Sequence, residues 1–260
     1  MYRTNLNIDH IQNSLKGSLI GSEIYYHSVI GSTMNESKQL ADNGCLEGTV
    51  VIAEDQKSGR GRFNRNWLSN PGKSITLSVI LRPKPEFLSF LNMASTLSVV
   101  RTIEKIVDHE VVIKWPNDVK IGNKKVSGIL IETDSNLDKL NYAIFGFGVN
   151  VSMNMTNIPE LSNSATSLTQ ETNKSLDRSQ ILTDILINFD KLYLEIMDGN
   201  SPTLEWKHRL ETIGKFIEVR SGNFVFCGIA READDDGNLI IDLPDGSTKT
   251  VIGGEVTLSV

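Results

Sequence analysis

Gln56-Lys57-Ser58-Gly59-Arg60-Gly61-Arg62-Phe63-Asn64-Arg65-Asn66-Trp67 gathers two glycines, three arginines and an indole into one short stretch. Glycine removes the Cβ atoms that would hold backbone N–H groups away from an anion, and guanidinium groups offer planar, charge-assisted forks that match carboxylate and phosphate. On either side lie β-branched or apolar runs bounded by turn residues, at 49–53 and 75–81, which read as buried strands. The string is therefore a loop hung from a sheet, mobile when empty and suited to meeting an anion.

Upstream of it, residues 23–29 read as a strand, and Ser32-Thr33-Met34-Asn35-Glu36 opens a helix in which Thr33 and Glu36 have capping-box spacing and Asn43-Gly44 marks the end. Downstream, residues 87–109 carry Leu91, Ala94, Leu97, Val100, Ile103, Ile106 and Val107 at helical spacing, predicting a long core helix. Strands are expected at 111–115, 119–121, 125–132 and 140–149, with Gly122-Asn123 as a two-residue hairpin turn, so Lys114 stands at a strand end. Residues 152–175 are rich in Asn, Ser and Thr without periodicity and read as a loop that either folds over a ligand or simply crosses the surface. Two helices follow, at 177–197 and 202–210, the second with Ser201 as cap, Pro202 in its first turn and Gly214 as stop. From residue 216 the composition changes. Five short β-rich runs, at 216–220, 224–231, 239–243, 248–252 and 255–258, alternate with Ser221-Gly222-Asn223, Asp236-Gly237-Asn238 and Pro244-Asp245-Gly246 turns, the outline of a small barrel.

With 260 residues, 39% of them apolar and 22% charged, the chain has room for one large domain and a small one, without the composition of a disordered or fibrous protein. A formal net charge of −6 argues against a general polyanion binder, which needs a basic stripe to displace counterions. Cys45 and Cys227 stand far apart and read as reduced thiols, and His10, His27, His109 and His208 form no ligand pair. Neither a leader-like N-terminus nor an apolar run of membrane length is seen, so the expected location is the cytoplasm, with no membrane partner. Three tempting motifs fail. Gly72-Lys73-Ser74 lacks the first glycine of a phosphate-binding P-loop, where Trp67 stands; Gly59-x-Gly61 lacks the third glycine of a dinucleotide fingerprint; and Asp234-Asp235-Asp236-Gly237 has Leu243 where a calcium loop closes with glutamate, so it reads as a hairpin turn.

The glycine–arginine string, followed in order by Lys114-Trp115-Pro116-Asn117-Asp118, Lys125-Val126-Ser127-Gly128-Ile129-Leu130-Ile131-Glu132 and Gly146-Phe147-Gly148-Val149-Asn150, resembles the biotin protein ligases over roughly residues 22–260. The resemblance implies an α+β fold: a mixed β-sheet with flanking helices, of the class II synthetase or biotin-lipoate ligase type, at 1–213, and a small C-terminal SH3-like β-barrel at 214–260. It also implies the roles of residues. Lys114 and Arg62 are the catalytic candidates, Lys114 because the matching lysine contacts both the biotin carboxylate and the nucleotide α-phosphate. Ser32, Thr33 and Gln56 would serve the ureido ring, with the backbone of Arg60, Gly61 and Arg62 near the carboxylate, Gly59 a further biotin-binding candidate, and Gly128, Gly146 and Gly148 beside the bicyclic ring or merely easing strand packing. Arg62, Arg65, Trp67, Lys114, Asn117 and Asn150 are the nucleotide candidates; Trp67 either stacks on adenine or anchors the loop. The family carries Ser-Thr-Asn where this chain has Ser32-Thr33-Met34.

The reaction so implied activates biotin with ATP to biotinyl-5′-adenylate, then transfers it to a lysine of a biotin carboxyl carrier protein. Mg²⁺ would be bound largely through the ATP phosphates, and no metal ligand is named. Sheet edges pair between subunits in some members, which allows a homodimer. A lipoate or octanoyl ligase is the nearest alternative, although an apolar acyl chain has no need of Ser32, Thr33 and Gln56. A biotin-sensing repressor is disfavoured because the residues before Ser32 are too few for a winged helix and the charge is acidic, so no DNA partner is expected. A module that binds biotin without activating it is disfavoured by the intact Lys114 and Arg62.

Overall fold

The computed structural model describes residues 5–136, 139–221 and 224–258. Its larger sheet contains β1 (Ile24–His27), β2 (Val50–Ala53), β3 (Ser74–Leu81), β4 (Val111–Lys114), β5 (Asp118–Ile121), β6 (Lys124–Asn136) and β7 (Lys139–Asn150). They lie in the order β1-β2-β3-β7-β6-β5-β4, with β1 parallel to β2 and the other pairs antiparallel, so the sheet is mixed as expected. Strand β3 is buried on both faces along its whole length. Ile75, Leu77, Val79 and Leu81 join the main core, whereas Ser78 and Ile80 face α2 (Thr33–Asp42), Ser78 through a hydrogen bond to Thr33 and Ile80 through a small cluster with Met34.

The other α-helices among the described residues are α1 (Ile8–Ser14), α3 (Leu88–Ile103), α4 (Leu168–Thr172), α5 (Arg178–Met197) and α6 (Thr203–His208). On the main-core side α3 and α5 pack against each other and the sheet, where Phe189 meets Phe145 and Phe147 with ring centroids 5.5 and 5.3 Å apart. The helix expected over 87–109 stops at Ile103. Ile106 and Val107 both hydrogen-bond back to the Ile103 carbonyl, so a turn, rather than further helix, turns these apolar side chains toward the core. α5 opens where expected, with the Asp177 carboxylate accepting from the N–H groups of Ser179 and Gln180. The short helix Thr203–His208 has Pro202 in the N-cap position, while Ser201 Oγ accepts from Thr203 N at 3.3 Å. Loop 152–175 contains a 3-10 turn at Met155–Asn157 and a short helix at Leu168–Thr172.

The five C-terminal strands fall close to their expected places: β8 (Phe216–Ser221), β9 (Phe224–Ala233), β10 (Leu239–Asp242), β11 (Thr248–Val251) and β12 (Glu255–Leu258). They form an antiparallel sheet in the order β11-β10-β9-β8-β12, and no ladder between β11 and β12 closes it among the described residues. The expected barrel is thus an SH3-like sheet, open between those two strands. Gly237 and Gly246 occupy their turns at φ of +80° and +84°, a region glycine enters without steric penalty; Gly222-Asn223 lies outside the described residues. The Asp234 turn is a hairpin turn as expected, its carboxylate accepting from the backbone of Asp236 and Asn238. This turn docks the small sheet on the large one, because Trp115 Nε1 donates to the Gly237 carbonyl at 2.8 Å and Lys207 pairs with Asp235 at 2.7 Å. Trp115 is buried, so the residue beside Lys114 is fixed by the contact between the two sheets.

Candidate functional site

The glycine–arginine string is folded on itself between β2 and β3. Trp67 N–H donates to the Gly59 carbonyl at 3.0 Å and Gly61 N–H to the Arg65 carbonyl at 2.8 Å, making a small hairpin whose root is closed by Gln56 N–H on Ser69 Oγ at 2.8 Å. This hairpin covers a cavity of about 660 Å³, within the size range of small-molecule sites. Of the residues singled out in the sequence, Thr33, Gln56, Arg60, Gly61, Arg62, Arg65, Trp67, Lys114, Asn117, Gly128, Gly146, Gly148 and Asn150 all line it. Ser32 and Gly59 do not; they stand behind the lining, Gly59 as the acceptor that holds Trp67.

One end of the cavity is neutral and polar. The capping box expected at the start of α2 does not form: Ser32 occupies the N-cap position without a side-chain cap bond, and its buried Oγ has no partner among the described residues. Gln56 caps the helix instead. Its Oε1 accepts from Thr33 N at 2.8 Å and from Thr33 Oγ1 at 3.1 Å, while Thr33 Oγ1 accepts from Ser78 Oγ at 2.7 Å. Glu36, the other half of the expected box, stands 4.0 Å from His27. Thr33 and Gln56, 23 residues apart, thus form one polar unit on the cavity wall.

The floor is made by glycines. Gly128 on β6 pairs with Gly148 on β7, and the Trp67 indole lies across both; a Cβ at position 148 would come within 2.3 Å of the ring. At Gly146 a Cβ would come within 2.7 Å of Met34 Sδ, so Met34 fills the adjoining part of the floor with an apolar thioether. These glycines admit Trp67 and Met34 to the sheet surface, and Trp67 anchors the loop there. Lys125 Nζ lies 5.7 Å from the indole centroid and 2.6 Å from the Asp118 carboxylate. Gly148→Ala is expected to displace the ring, destabilise the fold by about 1–3 kcal/mol and shift tryptophan emission; fluorescence-detected urea unfolding measures both, and unchanged emission and midpoint would refute this packing role.

The other end is cationic. Lys114 is half-buried, and its ammonium makes no hydrogen bond or ion pair among the described residues. Burial pushes its pKa down, with nearby Asp118 opposing the shift and Lys120 and Lys125 adding to it. Arg62 is also pushed down by burial; its guanidinium donates to Asn117 Oδ1 and to the Gly254 carbonyl, both at 2.9 Å. Arg60 pairs with Glu132 at 2.9 Å, and Arg65 pairs with Glu255. Asn117 is buried and brackets β6, donating from its side-chain amide to the Ile129 carbonyl while its own backbone carbonyl accepts from Ile129 N–H. Asn150 Nδ2 donates to the Thr166 carbonyl at 3.1 Å and so holds loop 152–175, whose Met153, Met155 and Ala165 line the cavity; the loop folds over the site and is not a plain surface crossing.

Sequence reasoning missed Asp118 and Lys125 as site residues, although both lie in the quoted motifs, and missed Glu255, Val256 and Thr257 on β12, for which no local signal exists. The two acidic side chains on the cavity wall, Asp118 and Glu255, are each paired with a cation, and no cluster of three metal-ligating side chains occurs among the described residues. No helix among the described residues is long and apolar enough to cross a membrane. The cavity can therefore hold a molecule with a neutral polar head at Thr33 and Gln56 and an anionic end at Lys114 and Arg62, beside a second anion.

Residues 26–150 match the Biotin/lipoate A/B protein ligase family, and residues 212–259 match the Biotin protein ligase C terminal domain. The bifunctional ligase/repressor BirA of Bacillus subtilis is 36% identical over 249 residues, spanning 94% of this chain and 77% of that protein. The biotin--[acetyl-CoA-carboxylase] ligase of Mycobacterium tuberculosis is 31% identical over 261 residues, spanning 94% of each. Among solved structures, the biotin protein ligase from Aquifex aeolicus in complex with biotin and ATP has a TM-score of 0.76 at 29% identity, covering 92% of this chain and 99% of that one.

Proposed function

The chain belongs to the biotin protein ligase family, and from that footing we propose that it joins biotin to ATP as biotinyl-5′-adenylate and passes the biotinyl group to a lysine of a biotin carboxyl carrier protein. The observation that carries this reading is Lys114, a half-buried ammonium in the cationic end of the cavity that has no partner among the described residues. Biotin lies with its ureido ring toward Thr33 and Gln56 and its carboxylate toward Lys114 and the backbone of residues 60–62. The nucleotide lies toward Arg62, Arg65, Asn117 and Asn150, with Trp67 forming the wall between the two. Two anions have to meet for a carboxylate oxygen to attack the α-phosphate and expel pyrophosphate. A fixed cation between them lowers that repulsion and stabilises charge as it builds in the transition state.

In the second step the carrier's amine attacks the acyl carbon and AMP leaves, with no covalent enzyme nucleophile. The folded hairpin and loop 152–175 keep water from the mixed anhydride while the carrier is awaited. Mg²⁺ fits as an ion brought by the triphosphate, because both carboxylates on the wall are already committed to cations. The acceptor is the carrier domain of a biotin-dependent carboxylase, and a reaction drawing on ATP and such a carrier suits the cytoplasm.

ATP–pyrophosphate exchange with biotin, lipoate and octanoate tests the reading. Exchange is expected with biotin alone; exchange with lipoate in its place would overturn the substrate assignment. The same assay carries a pH prediction. Because burial lowers the Lys114 pKa, exchange should fall as pH rises through a value below that of an ordinary lysine, and Lys114→Arg should move that limb upward. A limb at the same pH in both proteins would exclude Lys114 as its source.

A further inference from the structure

Glu54 and Arg178 form a buried ion pair, Arg178 Nη1 to Glu54 Oε2 at 3.0 Å, with side-chain exposures of 8% and 4% for arginine and glutamate. Neither residue lines the cavity. Burying two charges is costly and is repaid only where geometry and further hydrogen bonds are good, so the partners of this pair show what it holds. Glu54 directly precedes the substrate hairpin. Its carboxylate accepts from the Gly72 N–H at 3.3 Å, on the far side of that hairpin, and from the Leu6 N–H at 2.6 Å; Arg178 donates to the Ser74 carbonyl at 2.9 Å. Between them, at residue 73, the Lys73 carbonyl accepts from Val151 N–H and Ser152 N–H at 3.1 and 2.8 Å, which is the root of loop 152–175.

The two segments that cover the cavity thus spring from one clamp. We propose that Glu54 and Arg178 are positioning residues that set the closure of both covering segments, and through it the retention of the adenylate. This rests on the ligase reading for the adenylate, but the clamp itself is testable without substrate. In the absence of ligand, hydrogen exchange is followed in residues 57–73 and, as an internal reference, in β3 of the same sample. The variants are Arg178→Lys, which keeps the charge but loses the fork, and Glu54→Leu with Arg178→Met, which removes both charges at similar volume.

The expected result is exchange in residues 57–73 accelerated about tenfold or more relative to β3, as for a local opening freed from its anchor. Exchange that rises equally in both segments, or in neither, would overturn the proposal, since the pair would then support only global stability. Adenylate release, measured with Arg178→Lys after loading with biotin and ATP, should speed up by a similar factor while the rate of pyrophosphate exchange at saturation changes little. Faster loop exchange with unchanged release would refute the coupling to retention. A parent protein that forms no adenylate would refute the ligase reading and leave the exchange result standing.

Discussion

Lys114→Ala is expected to abolish nearly all biotin-dependent pyrophosphate exchange, by roughly a hundred- to a thousandfold, about 3 kcal/mol or slightly more of transition-state stabilisation. The cavity has other cations, but each is engaged: Arg60 with Glu132, Arg62 with Asn117 and Gly254, Arg65 with Glu255, Lys120 with Glu211 and Lys125 with Asp118. Lys114 alone among them lacks a partner among the described residues, so nothing nearby replaces it without breaking a contact first. The loss should appear mainly in the rate at saturation, because charge growing on the reacting oxygens is met only in the transition state.

Stability should move the other way. Burial depresses the folded-state pKa of Lys114, so charging it opposes folding. Below that depressed value the penalty is present in full, and it is relieved as pH rises from there toward the lysine pKa of the unfolded chain, about 10.4. Lys114→Met should therefore be at least as stable as the parent at neutral pH while losing exchange activity. A variant that lost activity together with a large fall in melting temperature would point to a structural lysine.

Much of the site was legible because its chemistry lies in contiguous strings. Gly61 and the three arginines of the hairpin between β2 and β3, and Lys114 with Asn117 at the end of β4, reach one cavity, although β7, β6 and β5 lie between those strands in the sheet. What escaped the sequence depends on partners far along the chain. The capping box at Thr33 and Glu36 is a local pattern, and it lost to Gln56, whose amide oxygen reaches both the N–H and the hydroxyl of Thr33. The clamp at Glu54 joins residues 124 positions apart, and Glu255 meets Arg65 across 190. Helical periodicity likewise ran past Ile103, because Ile106 and Val107 bury their side chains from a turn, and periodicity registers burial, not backbone conformation. For the C-terminal unit, strand count was readable but closure was not, since β11 and β12 have no local feature that says whether they pair.

Arg62→Ala should leave adenylate formation measurable but shorten its residence on the enzyme by about a hundredfold, the scale of losing two hydrogen bonds from a charged donor. Arg62 is the stitch between three parts of the fold: the hairpin that carries it, Asn117 at the turn into β5, and the Gly254 carbonyl at the start of β12. Its burial opposes its charge, and Asp118 and Glu255 only partly offset that cost, so an arriving phosphate gains more from this guanidinium than from an exposed one. Alanine removes the stitch and the anion partner together. The hairpin remains tied by Trp67 on Gly148 and by the root at Gln56 and Ser69, which is why the first chemical step should survive. Released adenylate is then hydrolysed by water to biotin and AMP, so the variant should turn ATP over to AMP and pyrophosphate without carrier, regenerating biotin each time, while the parent holds one equivalent of adenylate. Dissociation followed by rapid filtration after loading gives the rate, and a residence time equal to the parent's would show that closure over the adenylate does not pass through Arg62.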